Sequence, residues 1–151
     1  MDNIKYIEGG KELLDKVESL WKKLNSHHLK NSVHFKSRYI NNDFQGRINK
    51  LESLEMKVVL VMDSKLGTII GYCISTINDK MDGEIDSIYV EESYRSFKIG
   101  DKLIRDAINW LNENNVRTKK IAVAEGNEGV VEFYKRYGFY PRMMILEEAD
   151  N

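Results

Sequence analysis

Two periods of hydrophobicity alternate along this chain, and the switches between them mark its elements. Ile4-Lys5-Tyr6-Ile7 is short and β-prone and stops at Gly9-Gly10, which predicts an edge strand. From Lys11 onward, Leu13, Leu14, Val17, Leu20, Trp21 and Leu24 recur at helical spacing with charges between them. That pattern predicts an amphipathic helix lying on a sheet and closed by Asn25-Ser26. Residues 27–54 carry a weaker helical pattern through Phe35, Tyr39, Phe44, Ile48 and Leu51, broken at Asn41-Asn42-Asp43 and Gly46. One or two short helices with an irregular stretch are expected there.

The apolar run Val58-Val59-Leu60-Val61-Met62 suits a strand covered on both faces. Residues 68–77 are β-branched and bounded by turn residues, and a polar turn over 78–83 leads into a further strand over 84–90. Three strands with short connections predict an antiparallel meander. Ile99, Leu103, Ile104, Ala107, Ile108 and Leu111 then define a helix face, closed by Asn114-Asn115. A strand over 119–124 follows, parallel to strand 84–90 because a helix separates the two. Asn127 is read as the N-cap of a last helix, Gly138 as its C-cap, and residues 139–146 as a final strand. The expected fold class is α/β (α+β): one domain over 1–151, a mixed central sheet flanked by helices.

Composition narrows the partners. The chain has 151 residues, 42% hydrophobic and 31% charged, and a net charge of -1. Such a balance argues against a nucleic-acid surface, which concentrates excess Lys and Arg. No apolar stretch approaches membrane-spanning length, and Asp2, Lys5 and Glu8 break any signal-peptide apolar region, so no membrane partner is expected. Cys73 is the single cysteine and lies inside an apolar run, so no intramolecular disulfide is possible and a cytoplasmic location is expected. His27, His28 and His34 have neither metal-site spacing nor a Cys partner, so no metal is expected.

The chemistry concentrates between Gly83 and Gly138. Arg95-Ser96-Phe97-Lys98-Ile99-Gly100 falls where the strand over 84–90 gives way to a helix, and a helix start offers unpaired N–H donors and partial positive charge to an anion. Farther on, Asn127, Phe133-Tyr134 and Tyr137-Gly138-Phe139 stand at fixed offsets behind Ile121-Ala122-Val123-Ala124. This order resembles the GNAT (GCN5-related N-acetyltransferase) superfamily, closely over the C-terminal half and in layout over the N-terminal half.

The resemblance implies acetyl-CoA as cosubstrate, its pyrophosphate on the turn formed by Arg95, Ser96, Phe97, Lys98, Ile99, Gly100 and Asp101. The family pattern begins with Gln or Arg, matched by Arg95, and ends with Gly or Ala, matched by Gly100. Lys98 stands where the first glycine belongs, which questions the loop geometry at one point. Its ammonium would add charge-assisted attraction, Arg95 offers a second cation, and Asp101 is expected to face away. Backbone at Ile88, Tyr89 and Val90 is implied for the thioester carbonyl, Asn127 for the cofactor's amides and Tyr134 as the acid for the leaving thiolate, with Tyr137 in reserve.

Glu84 and Asp86 lie where family members place a carboxylate that frees the amine. Their equal parity puts them on one strand face unless a bulge intervenes. His34, beside Arg38 and Tyr39, is an alternative base, and residues 27–47 with 140–143 are the implied acceptor walls. Cys73, mid-strand and apolar, is disfavoured as a thiolate nucleophile. The reading is an N-acetyltransferase acting by direct attack of a small-molecule or peptide amine in a ternary complex. Transfer of a longer acyl group, a non-catalytic acyl-CoA-binding regulatory module, and an unrelated nucleotide-phosphate binder are the alternatives. Edge strands at residues 4–7 and 139–146 leave monomer or homodimer open.

Overall fold

A computed structural model describes residues 3–150. Residues 1, 2 and 151, and with them Asp2 and both ends of the expected domain, lie outside the described residues. One five-stranded sheet, in the order β1-β2-β3-β4-β5, carries the chain. Its strands are β1 (Ile4–Gly9), β2 (Glu55–Asp63), β3 (Thr68–Ile77), β4 (Asp82–Val90) and β5 (Thr118–Lys120). The first four form an antiparallel ladder, and β5 joins β4 in parallel after the helical crossover, as the pattern of connections predicts.

The continuous apolar run of β2 is explained by helices on both faces of the sheet. Val59 and Val61 join the core under α4 (Ile99–Glu113), where Leu103, Ile104, Ala107 and Leu111 bury one helical stripe. Val58 and Leu60 point the other way, into the core under a 3-10 turn (Lys11–Val17) and α1 (Glu18–Asn31), against Val17, Leu20 and Trp21. Two short helices, α2 (Lys36–Ile40) and α3 (Phe44–Leu51), complete this second side. The break at Asn41-Asn42-Asp43 falls as expected, because the Asp43 carboxylate caps α3 by accepting from the Gly46 N–H at 2.6 Å.

Five expectations are corrected. The first helix does not end at Asn25-Ser26: it opens as a 3-10 turn and α1 continues to Asn31. The strand over 119–124 is reduced to Thr118–Lys120, because only three residue pairs hold β5 to β4. Asn127 occupies the position ahead of a 3-10 turn (Glu128–Val130) that leads into α5 (Val131–Lys135), but its side chain makes no cap hydrogen bond. Residues 139–146 form no strand: Phe139 packs against the core, and residues 140–146 are exposed. α5 ends at Lys135 with Arg136 as its cap residue, and Gly138, with φ at 89°, closes the turn that follows, the Phe139 N–H returning to the Tyr134 carbonyl at 3.2 Å.

Behind β5 the chain is tied to α1. Gly126 takes a φ of 87°, and a Cβ there would run into the carbonyl of Asn31, the last residue of α1. Gly126→Ala therefore combines backbone strain with a collision against main chain, and should destabilise the protein by about 1–3 kcal/mol. Urea unfolding with an unchanged m-value is the check; a shift below a few tenths would show that the turn gives way freely.

Candidate active site

The ladder between β4 and β5 runs from Asp82–Thr118 to Glu84–Lys120 and stops. Beyond it β4 continues to Val90, still paired with β3 on its other side, while residues 121–124 take no strand partner among the described residues. A wedge thus opens between the two segments, and the backbone groups of β4 that point toward it have no strand opposite.

At the start of this wedge β4 carries a bulge. Ile85 pairs with Ser75 and Ser87 with Ile74, so Asp86 is an extra residue without a partner on β3. The bulge comes after Glu84 and keeps Glu84 and Asp86 on one face. It also brings Ser87, which simple alternation would send to the opposite face, round beside Asp86.

Asp86 and Ser87 floor a cleft of about 140 Å³ walled by Trp21, His28, Tyr39 and Arg47. One Asp86 carboxylate oxygen is ion-paired with Arg47, and the other, Oδ2, is buried without a hydrogen-bond partner. The buried Nδ1 of His28 also lacks one. Burial, and then the neighbouring His27, lower the His28 pKa, so this ring is neutral at pH 7. Tyr39 packs against it with ring centroids 5.5 Å apart, and the Tyr72 and Ser87 hydroxyls hydrogen-bond at 2.7 Å behind. Glu84 is half-buried beside this group: burial, then the Asp86 charge, push its carboxyl above the ordinary value, against Lys120 and Arg47.

His34, the histidine favoured from sequence, is exposed and outside this cleft; His28 lines it instead. Arg47 and His28 fall inside the implied acceptor wall of residues 27–47, but no local motif singles out either one. A further signal for His28 is its place one helical turn beyond Leu24 on the buried side of a helix that runs longer than expected.

At the other end of the wedge stands the anion turn. A 3-10 turn (Glu92–Phe97) delivers the chain to α4, and its Tyr94 hydroxyl donates to buried Asp63 at 2.5 Å, fixing the turn to the end of β2. Lys98 sits ahead of α4 with φ 59° and ψ 24°, the left-handed conformation that a glycine would adopt freely. The loop geometry is therefore kept without the glycine, at about 1–2 kcal/mol for the lysine side chain. Ile99 is 1% exposed and anchors the helix in the core, so only its backbone is available to a ligand. A Cβ on Gly100 would make only ordinary contact with Phe133, at 3.6 Å. Nothing inside the protein demands a glycine there; a side chain would instead crowd the approach to the first helical N–H groups.

The charged residues around the turn are sorted. Arg95 lies back along β4, its Nε donating to the Val90 carbonyl at 2.8 Å and its guanidinium over the Tyr89 ring. Asp101 accepts from the Tyr137 hydroxyl and from Arg105, which hold its carboxyl below the usual range. Its charge is thus occupied within the protein. Ser96 and Phe97 lie on the exposed 3-10 turn, and Ile88 packs toward α4 while Tyr89 faces α1. Asn127 lies in the turn ahead of α5.

α5 contributes Tyr134, partly buried against the core under α4, with Phe133 at 5.5 Å between centroids. Burial pushes its phenol up to about 12, so it is protonated at neutral pH, and among the described residues its hydroxyl makes no hydrogen bond. Tyr137, by contrast, is committed to Asp101. Cys73, fully buried, is pushed up to about 12 as well and is a core side chain.

Comparison with known proteins follows this geometry. The sequence pattern of the acetyltransferase (GNAT) family matches residues 21–139. This chain belongs to the GNAT family. An uncharacterized N-acetyltransferase of Methanocaldococcus jannaschii, MJ1207, is 35% identical over 72 residues, 48% of this chain and 32% of that one. A putative [ribosomal protein bS18]-alanine N-acetyltransferase of Bacillus subtilis is 31% identical over 78 residues, 51% of this chain and 50% of that one. The chain thus matches from a third to a half of the length of these curated relatives. In fold, a putative acetyl transferase from Pyrococcus furiosus superposes with a TM-score of 0.76 at 19% identity, covering 95% of this chain and 99% of the other. An aminoglycoside N-acetyltransferase solved with CoA gives 0.63 at 14% identity, over 97% and 99%.

The GNAT chain's half-buried Glu84 has a stability consequence with a definite sign. Its folded pKa is raised, so the folded state binds the proton more readily and ionisation costs stability above that raised value. Glu84→Gln should melt higher than the native protein at pH 7. The gap should close as pH falls below the unfolded carboxylate's value of about 4.3. Melting curves across that range are the measurement, and a pH-independent gap would assign the effect to packing.

Proposed function

We propose that this GNAT protein, acting as one domain over 1–151, transfers an acetyl group from acetyl-CoA to a primary amine by direct attack in a ternary complex. The observation that carries the reading is the wedge between β4 and the segment after β5. It is open on the β4 side and joins a helix start kept free for an anion to a cleft floored by a carboxylate with one free oxygen. The relatives named as N-acetyltransferases favour an enzyme over a binding module.

In this reading the first N–H groups of α4, with Lys98, Ile99 and Gly100, hold the pyrophosphate. Ser96 and Phe97 flank it, and Arg95 and Asp101 shape the turn rather than touch the anion. Asn127 meets the pantetheine amides, and the backbone of β4 at Ile88, Tyr89 and Val90 meets the thioester carbonyl, whose oxygen gains charge as the amine attacks. Bound acetyl-CoA supplies an activated carbonyl and a thiolate leaving group.

The acceptor amine enters the cleft at Asp86. A free primary amine has a pKa of about 10.4, so roughly one molecule in a thousand is neutral at pH 7. The free Asp86 oxygen accepts a hydrogen bond from the amine, and Glu84, with its raised pKa, is the sink for the proton. The uncharged His28 ring leaves the ammonium no competing cation apart from Arg47, which Asp86 neutralises. Tyr134 keeps its proton until thiolate develops beside it. The cleft volume of about 140 Å³ admits the end of an amine, as on a lysine-like side chain or a small-molecule amine, with the remainder outside. A chain with its one thiol buried suits a reducing cytoplasm.

Thiol release from acetyl-CoA, measured against a panel of small amines and peptides, tests the activity. CoA-specific thermal stabilisation without turnover on any acceptor would instead mark a binding module. Tyr134→Phe should lower turnover about a hundredfold, the low end for a general acid, with acetyl-CoA affinity unchanged. Equal turnover would remove Tyr134 from the acid role. Lys98→Gly, which keeps the left-handed backbone and deletes the charge, should weaken acetyl-CoA binding at low salt and match the native protein at high salt. An identical constant at both salt levels would mean that the ammonium never reaches the phosphates.

A further inference from the structure

The segment after Gly138 is the least accounted for in the protomer. Met143, Met144, Ile145 and Leu146 are 71%, 83%, 76% and 87% exposed, an unbroken apolar run that would cover both faces of a strand. That is the composition of a strand buried on both sides, as β2 is, yet here it pairs with nothing. The segment is nevertheless held at both ends. The Phe139 N–H bonds to Tyr134, and at the far end the Asp150 carboxylate accepts from the Ser37 N–H and hydroxyl, both at 2.7 Å. Glu147 is ion-paired with Arg38.

A second unfinished feature lies close by. β5 is the outermost strand, so its outer edge is free, and the free edge continues through residues 121–124. Written antiparallel with Arg142 opposite Glu125, the two segments match along their whole length. The apolar run 143–146 falls opposite 124–121 (Ala, Val, Ala, Ile), Glu147 opposite Lys120, Glu148 opposite Lys119 and Asp150 opposite Arg117. A slip of one or two residues in either direction loses all four and makes a single different opposite-charge pair. Among the described residues Glu148 has no ion-pair partner, and Lys120 has only Glu84 at 4.0 Å.

The same chain cannot make this pairing. Glu125 is bound to the backbone N–H groups of Val33 and His34, and the Asp150 N–H donates to the His34 carbonyl. Both segments therefore finish at the same place. Antiparallel pairing would need Asp150 at the opposite end of β5, where Arg117 grips Asp82.

We propose that the protein is a two-fold dimer in which residues 142–150 of each protomer pair antiparallel with the free edge at residues 117–125 of the other. Across the axis the two tails lie side by side and antiparallel, which closes the assembly and leaves neither β5 edge exposed. The partner is a second copy of this chain, and the contact is independent of the acetyl-transfer reading.

Light scattering after size exclusion should give twice the chain mass. Ile145→Pro, at a position exposed in the protomer, should yield a monomer with an unchanged far-UV spectrum, because proline is excluded from a strand paired on both sides. Two charge reversals test the register: one variant with Lys119→Glu and Lys120→Glu, the other with Glu147→Lys and Glu148→Lys. Each alone should lose the dimer, and an equimolar mixture should regain it as a heterodimer. A native protein that stays monomeric at every concentration, a dimer that survives Ile145→Pro, or a mixture that stays monomeric would each overturn the proposal.

Discussion

The short parallel ladder between β4 and β5 is the constraint on which the site depends. Three residue pairs join the strands, and then they part. The separation forgoes backbone hydrogen bonds worth about 1 kcal/mol each. It is tolerated because β4 is held by β3 along its opposite edge and because α4 covers the sheet from behind. β4 is thus rigid where its outward groups are free, the condition for a backbone donor to meet a developing charge without first reorganising. The bulge at Asp86 lies at the point of divergence and adds local twist there, so one irregularity both re-aims a carboxylate and helps peel the strands apart.

Charge around this opening is arranged by pairing rather than by excess. Asp86 is paired with Arg47, and Glu84, whose carboxyl burial and the Asp86 charge push upward, has Lys120 and Arg47 acting against that shift. At the other end Asp101, the acid closest in sequence to the anion turn, is occupied by Tyr137 and Arg105.

Much of this fold was legible in the sequence, and the exceptions have physical causes. β2 and β3 were readable because their apolar runs are buried on both faces of the sheet, and α4 because its apolar positions follow one helical period from end to end. The first helix was cut short in the sequence reading because residues 25–31 are polar. They stay helical because His28 and Tyr39 pack together, a contact made between elements that no single window contains. Residues 121–124 look like strand and lie alongside strand, but their partner has already diverged. The tail at 139–146 has a strand's composition with no partner within the protomer. Glu84, Asp86 and Tyr134 were singled out through the family resemblance, and the fold puts Asp86 in the cleft, Glu84 on the same strand and Tyr134 on α5. His28 and Arg47 reach the cleft only through the packing of α1 and α3 over β4. The lysine at position 98 illustrates the opposite limit: the sequence departs from the glycine pattern while the backbone does not.

Glu125 has a consequence for how the two halves of the site communicate. Its carboxylate accepts from the Ser32 hydroxyl and from the Val33 and His34 N–H groups, so the chain leaving β5 is bolted to the loop that leads from α1 into α2. One flank of the wedge and one wall of the cleft are consequently joined through one side chain, and its three hydrogen bonds would carry a shift of either one to the other.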